Sequence, residues 1–316
     1  MKVSIVVCAY NEEKSIGPLL ENLAYQRVPS WIEEREIIVV ASGCTDATVE
    51  VVKRYLGGKP EIALVEETQR LGKASALNKA FAVSKGDYIV LIPADVCPAE
   101  NALFGLLVPF KDRRVSAVSG RPMQDPRASA KGLMGYLANM TYRLWSRLMK
   151  KLNEIGQANH CSGELMAIRK DVKIAIPKEC AADDSYIAIM ARKKGTIAYA
   201  SEAVGHNLMP SNIVDYVNQR RRWLFGHFQT KKVTGVFPSV LDTLVFSRPD
   251  IVLRVLVDEV AERPMHVLYL VAATVVEALV YALAVSDHVF HKEYGVWPVI
   301  KSTKYAEAEV VCEQYG

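Results

Sequence analysis

The most specific chemical signal in this chain is Gln219-Arg220-Arg221-Arg222-Trp223, followed by Gly226. On a helix, positions 219, 222, 223 and 226 share one face, so Gln219, Arg222 and Trp223 project together above a glycine gap. An amide, a guanidinium fork and an indole on one face can grip a diphosphate and stack a sugar ring. The other reading is a basic helix turned to water or lipid headgroups, and Arg220 and Arg221 suit it. Asp183 and Asp184 open an apolar helical run, Ile187 to Met190. One acid of such a pair can take a proton from a hydroxyl while the other caps or orients; capping at the positive end of the helix accounts for both equally well. Asp95 follows the apolar run Tyr88 to Ile92, in Pro93-Ala94-Asp95. A carboxylate there can hold Mg²⁺ or Mn²⁺, which neutralises the two phosphates of a departing nucleotide, or it caps a helix before Pro98.

Further candidates stand after other apolar runs: Ala9-Tyr10-Asn11-Glu12, Ser42 through Asp46, and Arg70-Leu71-Gly72-Lys73. Taken singly, Thr45 or Asp46 is a helix cap and Lys73 a solvated lysine. Their joint occurrence at successive run ends points instead to a nucleotide lying across a sheet edge. The runs themselves, Val3 to Cys8, Glu36 to Val40, Ile62 to Val65 and Tyr88 to Ile92, read as buried strands. Between them Ile16, Leu19, Leu20 and Leu23 recur at helical spacing, as do Val49, Val52 and Leu56, and Ala76, Leu77, Ala80 and Phe81. Strands alternating with helices predict an α/β domain with a largely parallel sheet, whose ligands sit beyond the carboxyl ends of the strands.

With 316 residues, 50% of them hydrophobic, the chain can bury one substantial core and carry an appendage. A net charge of +4 without basic tails does not indicate nucleic-acid binding. The six cysteines form no C-x-x-C pair, which reads as reduced thiols in a reducing compartment. Met1 to Val7 reads as a first core strand and not a signal peptide, which keeps the N-terminal domain in the cytoplasm. A long amphipathic helix is expected from about Ala128 to Leu152, with Tyr136, Met140, Leu144, Leu148 and Leu152 along one side; it packs on the domain or lies on a membrane. Met265 to Val285, broken only by His266, Thr274 and Glu277, is long enough to cross a bilayer. Its polar stripe suits an interfacial or bundle helix equally, since an intramembrane carboxylate costs about 3 kcal/mol.

Taken together, Ala9-Tyr10-Asn11-Glu12, Gly43-Cys44-Thr45-Asp46-Ala47-Thr48, Gly72-Lys73-Ala74-Ser75-Ala76-Leu77-Asn78, Asp95, Asp183-Asp184 and the Q-x-x-R-W box resemble family 2 glycosyltransferases of the GT-A fold. The resemblance implies a nucleotide-diphospho-sugar transferase domain over residues 1–232 and a membrane-associated helical region over 233–316. It implies inverting transfer from a UDP- or GDP-linked sugar, with a divalent cation on Asp95, Asp184 at the position of the base and Asp183 beside it. Ala9 to Glu12, Ser42, Asp46, Arg70, Lys73, Ala94, Asp95, Gln219 and Arg222 would meet the donor. Ser162, Gly163, Glu164 and Trp223 would border the acceptor, and His206 stands where many such enzymes supply a histidine to the metal.

Two positions depart from the family pattern. Pro93 replaces the first aspartate of D-x-D, and Ser42 stands where an aspartate often meets the base. A non-enzymatic relative, a weakened membrane-bound scaffold or binding protein, is the rival that Pro93 motivates. The box with apolar C-terminal helices is similar to membrane-bound members working on lipid-linked acceptors or polysaccharides. Having at most two such helices favours transfer of a single sugar, at the cytoplasmic face of a membrane, in glycolipid or cell-envelope synthesis. The tail from Trp297 to Lys304 reads as a loop.

Overall fold

The computed structural model describes residues 1–126, 132–178, 180–290 and 299–303. Four strands, β1 (Lys2–Ala9), β2 (Glu34–Ser42), β3 (Glu61–Glu67) and β4 (Tyr88–Pro93), form the parallel half of an eight-stranded sheet. They alternate with α1 (Ile16–Tyr25), α2 (Thr48–Lys53) and α3 (Lys73–Val83), as the apolar runs predict. Their near-continuous apolar character follows from burial on both faces. Val6, Ile38, Val40, Ile89 and Leu91 belong to one core cluster, while their neighbours Ile5, Val7, Ile37, Val39, Val90 and Ile92 belong to the other.

The chain then adds β5 (Cys97–Pro98), α4 (Ala102–Leu107), β6 (Val115–Gln124), α5 (Gly132–Glu154), β7 (Met166–Arg169), α6 (Asp183–Arg192) and β8 (Thr196–Asn207). Sheet order is β3-β2-β1-β4-β7-β6-β8-β5, with β7 antiparallel to both β4 and β6. This mixed half has no counterpart in the sequence reading; its β5 and β7, only 2 and 4 residues long, are too short to leave an apolar run. Four described cysteines, Cys8, Cys44, Cys161 and Cys180, are thiols.

The C-terminal part consists of α7 (Ile213–Thr234), α8 (Leu241–Ser247), α9 (Pro249–Glu262) and α10 (His266–Val289). Met140, Leu144, Leu148 and Leu152 of α5 are buried as the periodicity predicts; residues 127–131, where that helix was expected to begin, lie outside the described set. The basic edge of α5 meets α9: Arg143 Nε and Arg147 Nε reach the two oxygens of Glu259 at 3.0 and 2.8 Å, and Lys151 pairs with Asp258 at 2.7 Å. That edge therefore faces protein. Of the expected loop from Trp297 to Lys304, only 299–303 are described, and Lys301–Thr303 make one 3₁₀ turn.

The apolar segment Met265 to Val285 falls in α10, which has a mean hydropathy of 2.1 over its most apolar window, with only 11% of that window buried. Three of its polar residues turn inward. Glu277 receives Arg220 Nε at 2.8 Å, Asp287 receives both Nε and Nη2 of Arg221, and His266 Nδ1 lies 2.7 Å from Glu259. Arg220 also reaches Asp242 of α8 at 2.8 Å. Arg220 and Arg221 are thus not a solvated face, as the sequence reading allowed. They fasten α8 and α10 to α7, and Leu224, Val280 and Ala284 close the seam.

Candidate active site

The carboxyl ends of the parallel strands, the start of α6 and one face of α7 enclose a single cavity of about 820 Å³. Of the residues expected at the site, Ala9, Tyr10, Glu12, Ser42, Arg70, Lys73, Ala94, Asp95, Ser162, Gly163, Glu164, Asp183, Asp184, Gln219, Arg222 and Trp223 line it. Asn11, Asp46 and His206 do not.

Two of those three build the loops. Asn11, at a φ of 53°, exchanges bonds with Thr45: its Nδ2 donates to Thr45 Oγ1 at 3.1 Å, and Thr45 N–H donates to its Oδ1 at 2.9 Å. Asp46 accepts the N–H of Thr48 at 3.0 Å and that of Glu13 at 3.1 Å, so it braces the residues leading into α2 and ties the first two loops together. On the cavity side, the Arg70 guanidinium lies 4.0 Å from the centre of the Tyr10 ring, a cation–π stack.

The acidic pair divides into two environments. Asp183 Oδ2 lies 2.9 Å from Lys73 Nζ at the start of α3. Burial pushes the Asp183 carboxyl above the usual range, and Asp184 adds to this, against the pull of Lys73. Asp184 accepts the N–H of Ser185 at 2.6 Å and aims its other oxygen at Gly163: a Cβ there would stand 2.8 Å from Oδ2. Gly163 is thus the residue that leaves room for the Asp184 carboxylate.

The basic helix closes on this pair through another glycine. A Cβ at Gly226 would meet the Ala182 Cβ at 2.8 Å, so α7 approaches the segment before Asp183 as closely as backbone allows. The Ala181 N–H reaches Gln229 on the same helix at 3.1 Å. Burial lowers the pKa of Arg222, against the opposing charges of Asp183, Asp95, Asp184 and Glu164. Gln219 Oε1 is buried with no hydrogen-bond partner among the described residues. Trp223 receives the Arg220 guanidinium over its ring at 5.3 Å.

His206 lies in β8 opposite Cys97 of β5, away from the cavity lining, and no group of three His, Cys, Asp or Glu side chains suited to a metal occurs among the described residues. Mg²⁺ is commonly held by one or two carboxylates together with substrate phosphates and water. The Asp95 carboxylate in the cavity lining fits that donor set, with the remaining positions left to phosphate and water.

Spacing gave no sign of His160 and His227, which also line the cavity. His160 Nδ1 is 3.1 Å from Ser185 Oγ, and the two imidazoles lie edge to face at 6.1 Å. Burial lowers the pKa of both, that of His227 to about 4. Native His227 therefore stays neutral where the unfolded chain, with an imidazole pKa near 6.5, takes up a proton. The unfolded state binds more protons, so this group removes stability as pH falls from about 6.5 toward 4, by about 1 kcal/mol at pH 5.5. Unfolding midpoints at pH 7.5 and 5.5 should fall further for the wild type than for His227→Gln; equal falls would show that His227 does not couple to folding.

Residues 4–174 match the family described as glycosyl transferase family 2. The chain belongs to that family. A poly-beta-1,6-N-acetyl-D-glucosamine synthase of Staphylococcus aureus is 24% identical over 230 residues, 71% of this chain and 54% of the synthase. A poly(ribitol-phosphate) beta-glucosyltransferase of Bacillus spizizenii is 33% identical over 104 residues, 33% of this chain and 16% of that protein. The chain thus spans about half the length of the synthase. The solved mannosyltransferase PcManGT from Pyrobaculum calidifontis, in complex with GDP-Man and Mn²⁺, superposes with a TM-score of 0.62 at 24% identity, over 92% of this chain and 88% of that one. The family 2 chain has the GT-A fold, with an apolar helix near its C-terminus.

Proposed function

We propose that this family 2 chain transfers a sugar, with inversion, from a UDP- or GDP-linked donor to a lipid, lipid-linked or polysaccharide acceptor at the cytoplasmic face of a membrane. The observation that carries this reading is the sharing of one cavity by Asp95, Asp184 and the Gln219-Arg222-Trp223 face. Asp184 takes the proton of the acceptor hydroxyl as that oxygen attacks the anomeric carbon from the side opposite the diphosphate. The bond from the anomeric carbon to the phosphate oxygen breaks, and the nucleoside diphosphate leaves with its electron pair. Arg222, itself partly buried, meets the charge that develops on the leaving group. Asp183 orients: its bond to Lys73 holds the start of α6 against α3. Trp223 offers its ring to the acceptor sugar.

A Mg²⁺ or Mn²⁺ ion at Asp95 would neutralise the diphosphate when donor is bound. Titration of nucleoside diphosphates with and without Mn²⁺ tests this. Wild-type affinity should rise with Mn²⁺, and Asp95→Ala should forfeit at least about tenfold of the metal-dependent affinity while changing metal-free binding little. An unchanged metal dependence would remove Asp95 as the ligand. Binding that is absent, or indifferent to metal in the wild type, would favour the scaffold reading.

The membrane part of the proposal rests on the outward side of α10, where Leu268, Val271 and Val275 are 64%, 64% and 69% exposed, together with Leu253 and Val257 of α9. Because the inward side is fastened to α7 and α9 by ion pairs, we place α10 along the membrane surface rather than across it. The cavity continues toward this layer between Phe246, Leu270, Ala273 and Tyr281, which suits an acceptor carried on a lipid.

A further inference from the structure

We infer that Glu67 fixes the polarity of the Ser42 hydroxyl and so selects donor nucleotides whose base carries a proton on its ring nitrogen, as uracil N3 and guanine N1 do. This rests on the donor reading above. Ser42 ends β2 and pairs in register with Glu67, which ends β3. Ser42 lines the cavity with Tyr10 and Arg70. Behind it the Glu67 side chain is fully buried, 0% exposed, and its two oxygens are divided between partners. Oε1 accepts from Ser75 Oγ at 2.8 Å and meets Lys79 Nζ at 3.0 Å; Oε2 accepts the hydroxyl of Ser42.

A carboxylate held by three donors stays ionised and can only accept. The single proton of Ser42 is therefore committed to Glu67, and toward the cavity Ser42 presents lone pairs. A ring N–H completes that arrangement. Cytosine N3 and adenine N1 carry lone pairs themselves, and seating them there would set two acceptors against each other in a buried place. In this way a serine, standing where the resemblance leads one to expect an aspartate, acquires an acceptor's character from the carboxylate behind it. Glu67 is a positioning residue, acting through Ser42.

Glu67→Gln tests the assignment with little change of volume. Ser75 and Lys79 both donate to Oε1, so the amide oxygen must stay on that side and the NH₂ must take the place of Oε2, facing Ser42. Ser42 then accepts from the amide and turns its own proton to the cavity. Calorimetric binding of UDP, CDP, GDP and ADP to the full chain reads the outcome as UDP-to-CDP and GDP-to-ADP affinity ratios. The wild type should favour the first member of the better-bound pair by at least about tenfold, and Glu67→Gln should cut that ratio to within about threefold of unity. Ser42→Ala should also flatten it, and stands in if the glutamine variant does not fold. Equal weakening of all four nucleotides with the ratio preserved would make Glu67 merely structural and overturn the inference. Wild-type ratios near unity would overturn it and leave the transfer reading standing, whereas a wild type that binds none of the four would overturn both.

Discussion

Asp184→Asn lowers the rate of sugar transfer by about 10²–10⁴-fold while donor affinity stays within a few-fold, because the missing base acts in the transition state and not on the bound donor. The asparagine keeps the size that fits beside Gly163 and can still accept the Ser185 N–H, so the lesion is one of proton affinity. Asp183 cannot replace the lost base without leaving Lys73, 2.9 Å from its Oδ2. Single-turnover kinetics with saturating donor separate the two quantities. Parallel losses in donor binding and rate would move Asp184 from base to donor ligand.

Arg220→Met should destabilise the protein by about 2–4 kcal/mol. The buried arginine holds two acids, Asp242 on α8 and Glu277 on α10, and its removal leaves like charges facing each other without a cation. The lower end of that range allows for Glu277, whose side chain is 34% exposed and partly screened. Denaturant midpoints measure the loss, and Arg220→Met with Asp242→Asn and Glu277→Gln should recover most of it. A single-variant loss below about 0.5 kcal/mol would mean that the fastening contributes nothing measurable. Because the same guanidinium covers Trp223, the variant should also raise the acceptor KM more than the donor KM.

These cases also show where the sequence was informative. The parallel strands were legible because burial on both faces demands runs such as Val3 to Val7, and the loops after them follow from the geometry of such sheets. Gly226 was legible as a gap, since helical spacing sets it beside Arg222 and Trp223. The partners of Arg220 and Arg221 were not: Glu277 and Asp287 lie 57 and 66 residues downstream, and a charge pattern does not name a distant partner. Glu67 left no local signal either, because its role comes from sheet register with Ser42. Asn11 and Asp46 carry the small polar chemistry of both a ligand loop and a loop tie, and only the fold distinguishes them. His206 sits at a plausible distance along the chain from the basic helix, yet the cavity is lined by its strand neighbour Asn207 and not by His206.

The most direct test follows the anomeric centre. The full chain, in membranes or mild detergent with Mn²⁺, is incubated with UDP- and GDP-sugars while proton NMR follows the anomeric signals and the nucleoside diphosphate. Inverted anomeric configuration in transferred or hydrolysed sugar, formed with stoichiometric nucleoside diphosphate and lost in Asp184→Asn, is the predicted result. Retained configuration, or release that persists undiminished in Asp184→Asn, would contradict the account.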